Sequence, residues 1–288
     1  MVGEVARLLG TPFMPHQQMV ADVLGEIDPE TGRLAYDEGG LTIPRQQGKT
    51  TFILAKSTHR ANATKFYGRR QHIVYTAQTR LKAYEKWRED FCDALAASGK
   101  FGPRHRVNLG SGQEHIRWLN GSRFGIESNT EKAGHGGTLD EAYLDEAFAQ
   151  QDWRLEQAFG PAMITRANKL LMWVSTAGWL GGSPYLEAKV ELGRRAVLEG
   201  RTRGLAYFEY SAAEDADPGD PRTWWSCMPA LGRTIQEADI RREYEKALDA
   251  GKLNEFRRAY LNQWVPKEDI AEEWQVIPED AWNATLIP

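Results

Sequence analysis

The chain has 288 residues, 41% hydrophobic and 26% charged, with a formal net charge of -4. That is ordinary for a soluble globular protein and leaves room for one large or two modest domains with a sizeable core. Cys92 and Cys227 lie far apart with no CxxC pair, which argues against a zinc site or a disulfide framework and fits a reducing compartment. No run approaches about 18 apolar residues and no signal-peptide pattern opens the chain, so no membrane partner is expected. The slightly acidic balance confines any nucleic-acid contact to a local basic patch.

Residues from about His16 to Ile27 read as a helix with Met19, Val20, Val23, Leu24 and Ile27 on one face. A turn at Asp28–Gly32 follows, and then strand pieces at Leu34–Tyr36 and Leu41–Ile43. A helix runs from the following loop to about Ala61, and His72–Ala77 is a β-branched strand. Leu81 to about Ala97 reads as a helix with Trp87, Phe91 and Leu95 inward. The glycine-rich stretch to Gly125 holds strand pieces at His115–Leu119 and Ser122–Ile126, and Asn129–Thr138 reads as a loop. Buried strands at Ala142–Leu144 and Leu170–Val174 and a further strand at Gly204–Tyr210 complete the alternation. Strands alternating with helices predict a mostly parallel sheet with helices on both faces.

Beyond Asp215–Pro221, an acidic linker by composition, the chain turns helical. Thr234-Ile-Gln-Glu237 has the form of a capping box opening a helix to about Ala250, and a second helix covers about Leu253 to Gln263. Trp224-Trp225 is expected to pack between two subdomains. The resulting division is a core over 1–212 and a helical linker or lid over 213–288.

The most informative segment is Thr42-Ile-Pro-Arg-Gln-Gln-Gly-Lys-Thr-Thr51, between an apolar run and a helix. A strand, a tight loop and a helix N-terminus are the context of a phosphate-binding loop. Gly48 lets the backbone approach phosphate, Lys49 reaches the β- and γ-phosphates, and Thr50 can ligate Mg²⁺. Ile43 stands where the usual motif has its first glycine, and Arg45 adds a cation for triphosphate charge.

Ligands of open α/β sheets sit at the carboxyl ends of strands, and Asp145-Glu146 and Ser175–Gly178 both follow apolar strands. Asp145 is placed to hold Mg²⁺, and Glu146 to polarise the water attacking the γ-phosphate. The rival pair Asp140-Glu141 has no strand of its own before it. Ser175 and Thr176 are candidates for sensing the γ-phosphate, or else small residues closing a corner.

With these pieces in place, the chain resembles the ATPase part of the large terminase subunit of tailed double-stranded DNA bacteriophages, from about Thr11 to Trp282. Ile43–Thr50 is similar to the family's variant loop, which commonly lacks the first glycine and carries the arginine. The resemblance implies an α/β P-loop NTPase of RecA/ASCE-like type with a small C-terminal helical lid. It assigns ATP binding to Gln17, Pro44, Arg45, Gln46, Gln47, Gly48, Lys49, Thr50 and Thr51, with Gln17 reading adenine from Met14-Pro-His-Gln17 and Gln18 as its substitute. Mg²⁺ falls to Thr50 and Asp145, catalysis to Glu146, Arg45 and Lys49, and coupling to Ser175, Thr176, Ala177 and Gly178. Val74–Gln78 is similar to a strand motif shared with helicases, and Tyr260–Trp264 to the signature closing the ATPase region.

The resemblance implies a Mg²⁺-dependent ATPase that drives double-stranded DNA into a procapsid. It would form a homo-oligomeric ring on the portal beside the small terminase subunit, in the host cytoplasm. Lys132–Gly137, where some members carry a trans-acting arginine, has none; Arg45 in cis, or Arg123 or Arg166 in trans, would replace it. The chain stops where a nuclease domain would begin, so no nuclease activity is expected. Alternatives are a helicase-like translocase, a nucleotide-binding docking module without turnover, and a small-molecule kinase. The arginine clusters Arg69-Arg70, Arg194-Arg195, Arg201/Arg203, Arg241-Arg242 and Arg257-Arg258 read first as solvated faces.

Overall fold

Residues 1–127 and 137–266 are described by a computed structural model of the chain. The glycine loop up to residue 136 and the likeness beyond residue 266 lie outside the described residues. Helices α1 (Val2–Leu8) and α2 (Pro15–Val23) precede strand β1 (Tyr36–Thr42). Helix α3 (Lys49–Asn62) and the short α4 (Thr64–Tyr67) lead to β2 (His72–Thr76). Helix α5 (Arg80–Lys86) passes through a π-turn at Trp87–Cys92 into α6 (Asp93–Ala97). Strands β3 (His105–Asn108), β4 (His115–Trp118), β5 (Arg123–Ile126) and β6 (Glu141–Asp145) follow. Next come α7 (Arg154–Met163), β7 (Leu170–Ser175), β8 (Trp179–Leu180), α8 (Pro184–Leu198) and β9 (Gly204–Glu209). Helices α9 (Pro221–Cys227), α10 (Glu237–Asp249) and α11 (Leu253–Tyr260) and strand β10 (Val265–Pro266) close the described chain.

The main sheet has the order β3-β4-β5-β2-β6-β7-β1-β9. It is parallel from β5 to β9 and antiparallel only at the β3-β4-β5 edge. Strands β6 and β7 are buried along their whole length, as central strands covered on both faces must be. One apolar cluster packs α2, α3 and the Trp87–Leu95 helical run against one face. A second packs α7 and α8 against the other. A β-carbon at Gly40 would fall 2.1 Å from the Trp173 ring, so β1 needs glycine there for its neighbour β7 to seat its tryptophan. A third cluster joins Ala212 to Trp224, Ile240, Phe256 and Leu261.

Several expectations are corrected. Helix α2 ends at Val23, and Met19 and Ile27 are exposed while Val20 and Leu24 are buried. Strand β1 is one continuous element, because Gly39 and Gly40 sit inside it rather than in a turn. Helices α1, α7 and α8 and strand β3 are elements that the sequence reading does not contain. The α10 cap is Gln236 with Asp239, so the box lies two residues later than Thr234. Strand β6 begins at Glu141, which therefore does have a strand. Asp215–Pro221 is pinned rather than loose: Trp224 Nε1 donates to Pro218 O at 2.7 Å, and Pro221 opens α9. Trp224 is buried inside the C-terminal cluster instead of between subdomains, and Trp225 is exposed.

Candidate active site

Parallel pairing aligns Thr42 with Ser175 and Asp145 with Val174, so the ends of β1, β7 and β6 meet at one sheet edge. A pocket of about 670 Å³ opens there, a volume suited to a nucleotide. Gly48, at φ 79°, is the N-cap of α3 and offers no side-chain cap, leaving the first-turn N–H groups to an anion. Gln46, at φ 62°, takes the other left-handed position of the loop.

Lys49 donates to Ile43 O at 3.2 Å and Pro44 O at 2.8 Å. Burial pulls its pKa down to about 8, and Asp145 only partly opposes this. Arg45, Gln46, Thr50 and Thr51 also line the pocket. Arg45 is exposed, while its backbone N–H donates to Ala259 O at 2.8 Å. Pro44 and Gln47 are off the wall. The Gln47 side chain turns toward the C-terminal helices and accepts from Ala230 N at 2.8 Å.

Gln17 reaches the wall but is already engaged. Its Oε1 accepts from Met14 N at 2.8 Å, and its Nε2 donates to Gly48 O at 2.8 Å and Thr51 Oγ1 at 3.1 Å. It thus clasps the loop to α2, with His16 Nε2 2.9 Å from Gln47 O beside it. Gln18 instead donates to Asp22 at 2.7 Å on the helix surface.

Asp145 is buried at the end of β6 and Glu146 is half-buried just beyond it. Glu146 sits at φ 56°, a left-handed conformation costly for a side chain with a β-carbon and common at functional sites. Two residues that sequence reasoning missed hold this pair. Lys86 Nζ lies 3.0 Å from Asp145 Oδ2 and 3.4 Å from Glu146 Oε1. Burial works against the Lys86 charge, but Asp145 and then Glu146 overcome it and raise its pKa. Tyr75 OH donates to Asp145 Oδ2 at 2.7 Å, and burial followed by the Asp145 charge keeps the phenol protonated. Neither contact leaves a local pattern, because Lys86 comes from α5 and Tyr75 from β2, both far from Asp145 in the chain.

The corner after β7 divides by role. Ser175 Oγ accepts from Phe148 N at 3.0 Å, and Ser175 and Thr176 line the pocket. Thr176 Oγ1 is buried without a hydrogen-bond partner among the described residues. Ala177 and Gly178 face the C-terminal segment. Ala177 N donates to Asn262 Oδ1 at 2.5 Å, and a β-carbon at Gly178 would come 2.4 Å from Ser183 and 2.9 Å from Trp264. Arg123 and Arg166 lie at the opposite end of the sheet.

No family model and no curated protein matches the chain. Solved structures do. The large terminase of bacteriophage HK97 superposes with a TM-score of 0.74 at 23% identity, covering 88% of this chain and 52% of that one. A large terminase from a thermophilic bacteriophage, in complex with ADP, gives a TM-score of 0.60 at 15% identity, covering 88% of this chain and 54% of that one. The large terminase ATPase domain of Thermus phage P74-26 gives a TM-score of 0.58 at 18% identity, covering 90% of this chain and 96% of that one. The fold is therefore that of large terminase ATPase domains, and the chain spans about half the length of the first two proteins.

Proposed function

We propose that this chain is the ATP-hydrolysing motor domain of a viral DNA-packaging terminase. The carrying observation is that Gly48, Lys49, Thr50, Asp145 and Glu146 converge on one pocket in a fold shared with large terminases. One of the similar proteins was crystallised with ADP and with ATP-gamma-S, which supports a nucleotide in the corresponding pocket. In this reading the motor acts on double-stranded DNA, as a homo-oligomeric ring on the portal with the small terminase subunit, in the host cytoplasm.

The loop amides and the α3 N-terminus would hold the phosphates, while Lys49 and Arg45 offset charge on the phosphoryl oxygens. Thr50 Oγ1 and Asp145 would hold magnesium, their hard oxygen donors matching that ion. Among the described residues no cluster of three or more His, Cys, Asp or Glu forms a metal cage, as suits an ion completed by substrate phosphates. Lys86 already lies against both carboxylates and offsets part of their charge, so magnesium would compete with it for Asp145. Bound there, magnesium would neutralise charge on the phosphates. Glu146, half-exposed on the pocket wall, accepts a hydrogen bond from water and orients it for in-line attack. Loss of the γ-phosphate relaxes the Ser175–Gly178 corner, and Ala177 passes the change to the helices after Asp215 through Asn262.

Steady-state ATP turnover by the chain and by Glu146→Gln tests this. The variant is expected to fall by about 10²-fold or more, the usual worth of a positioned base. Equal turnover in both would refute the assignment of Glu146. ATP binding without turnover in the parent would favour a docking module.

A further inference from the structure

Four of the five arginine clusters in the sequence are engaged within the fold. Arg194 pairs with Glu209 and Arg195 with Glu191. Arg201 meets Glu199, and Arg203 meets Asp28 and Glu30. Arg241 and Arg242 pair with Glu237 and Asp239 one turn back on α10. Arg257 donates to Gln263 Oε1 at 3.0 Å, and Arg258 is buried between the Phe148 and Trp179 rings. The fifth cluster, Arg69-Arg70, makes no ion pair at contact distance among the described residues; Arg69 acts on Asp140 only at longer range.

Arg69 and Arg70 open onto a cleft of about 430 Å³ that Arg117, Arg123 and Arg166 also line. Among the described residues the one carboxylate on its wall is Asp140. That group is already occupied, with Arg166 Nε at 3.2 Å and a hydrogen bond from His72 N at 2.7 Å. Gathering five guanidiniums around one engaged carboxylate costs stability through like-charge repulsion, and an anionic ligand would relieve that cost. The arginines come from the start of β2, from β4, from the start of β5 and from the turn before β7. The cleft therefore lies at the amino ends of the parallel strands, and the nucleotide pocket beyond their carboxyl ends. Strand β6 spans the two, from beside Asp140 to Asp145.

We propose that this cleft grips the phosphate backbone of double-stranded DNA. The choice of polyanion rests on the motor reading; the charge imbalance does not. Guanidinium forks match phosphate oxygens in pairs and do so without reading bases. Among the described residues no Phe, Tyr or Trp lines the cleft, so the aromatic platform typical of single-strand binding is missing there. A motor that slides needs such sequence-blind contacts.

The test is fluorescence anisotropy of a labelled random-sequence duplex with the full chain over a salt series. It compares the parent with a triple Arg69→Ala, Arg70→Ala, Arg117→Ala variant, the same triple to Lys, and an Arg194→Ala, Arg195→Ala control. Thermal melting checks that each variant folds. The Ala triple is expected to bind about tenfold or more weakly, with a log–log salt slope smaller by about 2–3, near 0.9 per lost phosphate contact. The Lys triple is expected to recover most of the affinity, and the control to match the parent. Unchanged binding by the Ala triple, an equal loss in the control, or no duplex binding by the parent at low salt overturns the proposal. Duplex binding that is insensitive to the triple, with pyrophosphate binding that is sensitive to it, overturns it in favour of a small-anion site. ATP turnover by the same preparation separates the two readings. Turnover without cleft-dependent binding refutes the cleft alone, and cleft-dependent binding without turnover refutes the motor alone.

Discussion

Lys49 illustrates how one side chain carries charge information that its motif does not. Lys49 is held by two loop carbonyls, and burial pulls its pKa down to about 8. A triphosphate beside it restores the full charge. Nucleotide binding above that pH should therefore take up about one proton, and affinity should fall as pH rises through 8 and beyond. Calorimetry at pH 9 in buffers of different ionisation enthalpy reads the uptake directly. No uptake at pH 9 would mean that Lys49 is already charged before the nucleotide arrives. The meeting of Lys49, Thr50, Asp145 and Glu146 at one pocket was legible because each sits at a fixed offset from a glycine or a strand end. Lys86 and Tyr75 were not, since no sequence spacing encodes a contact between side chains 59 or 70 positions apart in the chain.

Strand β6 bears two carboxylate pairs with opposite duties. Asp145-Glu146 at its carboxyl end face the pocket. At its amino end Glu141 is fully buried, with Lys56 Nζ at 3.1 Å, Arg60 Nε at 3.4 Å and a hydrogen bond from Tyr143 OH at 2.8 Å. Such a network is weak evidence of net stabilisation, but losing one partner strands the others. Glu141→Gln leaves two buried cations without their ion-pair partner and is expected to cost about 3–5 kcal/mol in urea unfolding. A loss below about 1 kcal/mol would show that Lys56 and Arg60 find other partners. The ordering of the two pairs was readable from the apolar run between them. The structural role of Glu141 was not, because both its cations come from α3.

The C-terminal helices have their own apolar cluster yet are bonded to the nucleotide edge at several points. Ala230 N reaches Gln47, Arg45 N reaches Ala259 O, and Thr234 lines the pocket itself. Asn262, at φ 55°, accepts from Ala177 N and donates to Tyr210 O at 3.0 Å, tying the corner after β7 to the end of α11. Asn262→Ala leaves the buried Ala177 N–H unpaired and should cost about 1–3 kcal/mol. In hydrogen exchange it should also remove most of the protection that ATP-gamma-S confers on Leu253–Tyr260. Retained protection would show that the helices follow the nucleotide by another route, with the contacts of Gln47 and Arg45 the next to remove.

The amino-acid sequence by itself determined the alternation of strands and helices, the phosphate-type loop and the carboxylate pair. Each is a local pattern of hydrophobic period, glycine placement and strand-end polarity, and local patterns survive without a partner. Only the tertiary structure decided which arginines are neutralised, what holds Asp145, and that Gln47 serves the C-terminal helices rather than the pocket wall. Charge pairing and side-chain direction depend on segments far apart in the chain. The arginine cleft is the clearest case: its members span Arg69 to Arg166 and become one site only when β2, β4, β5 and the turn before β7 are laid side by side.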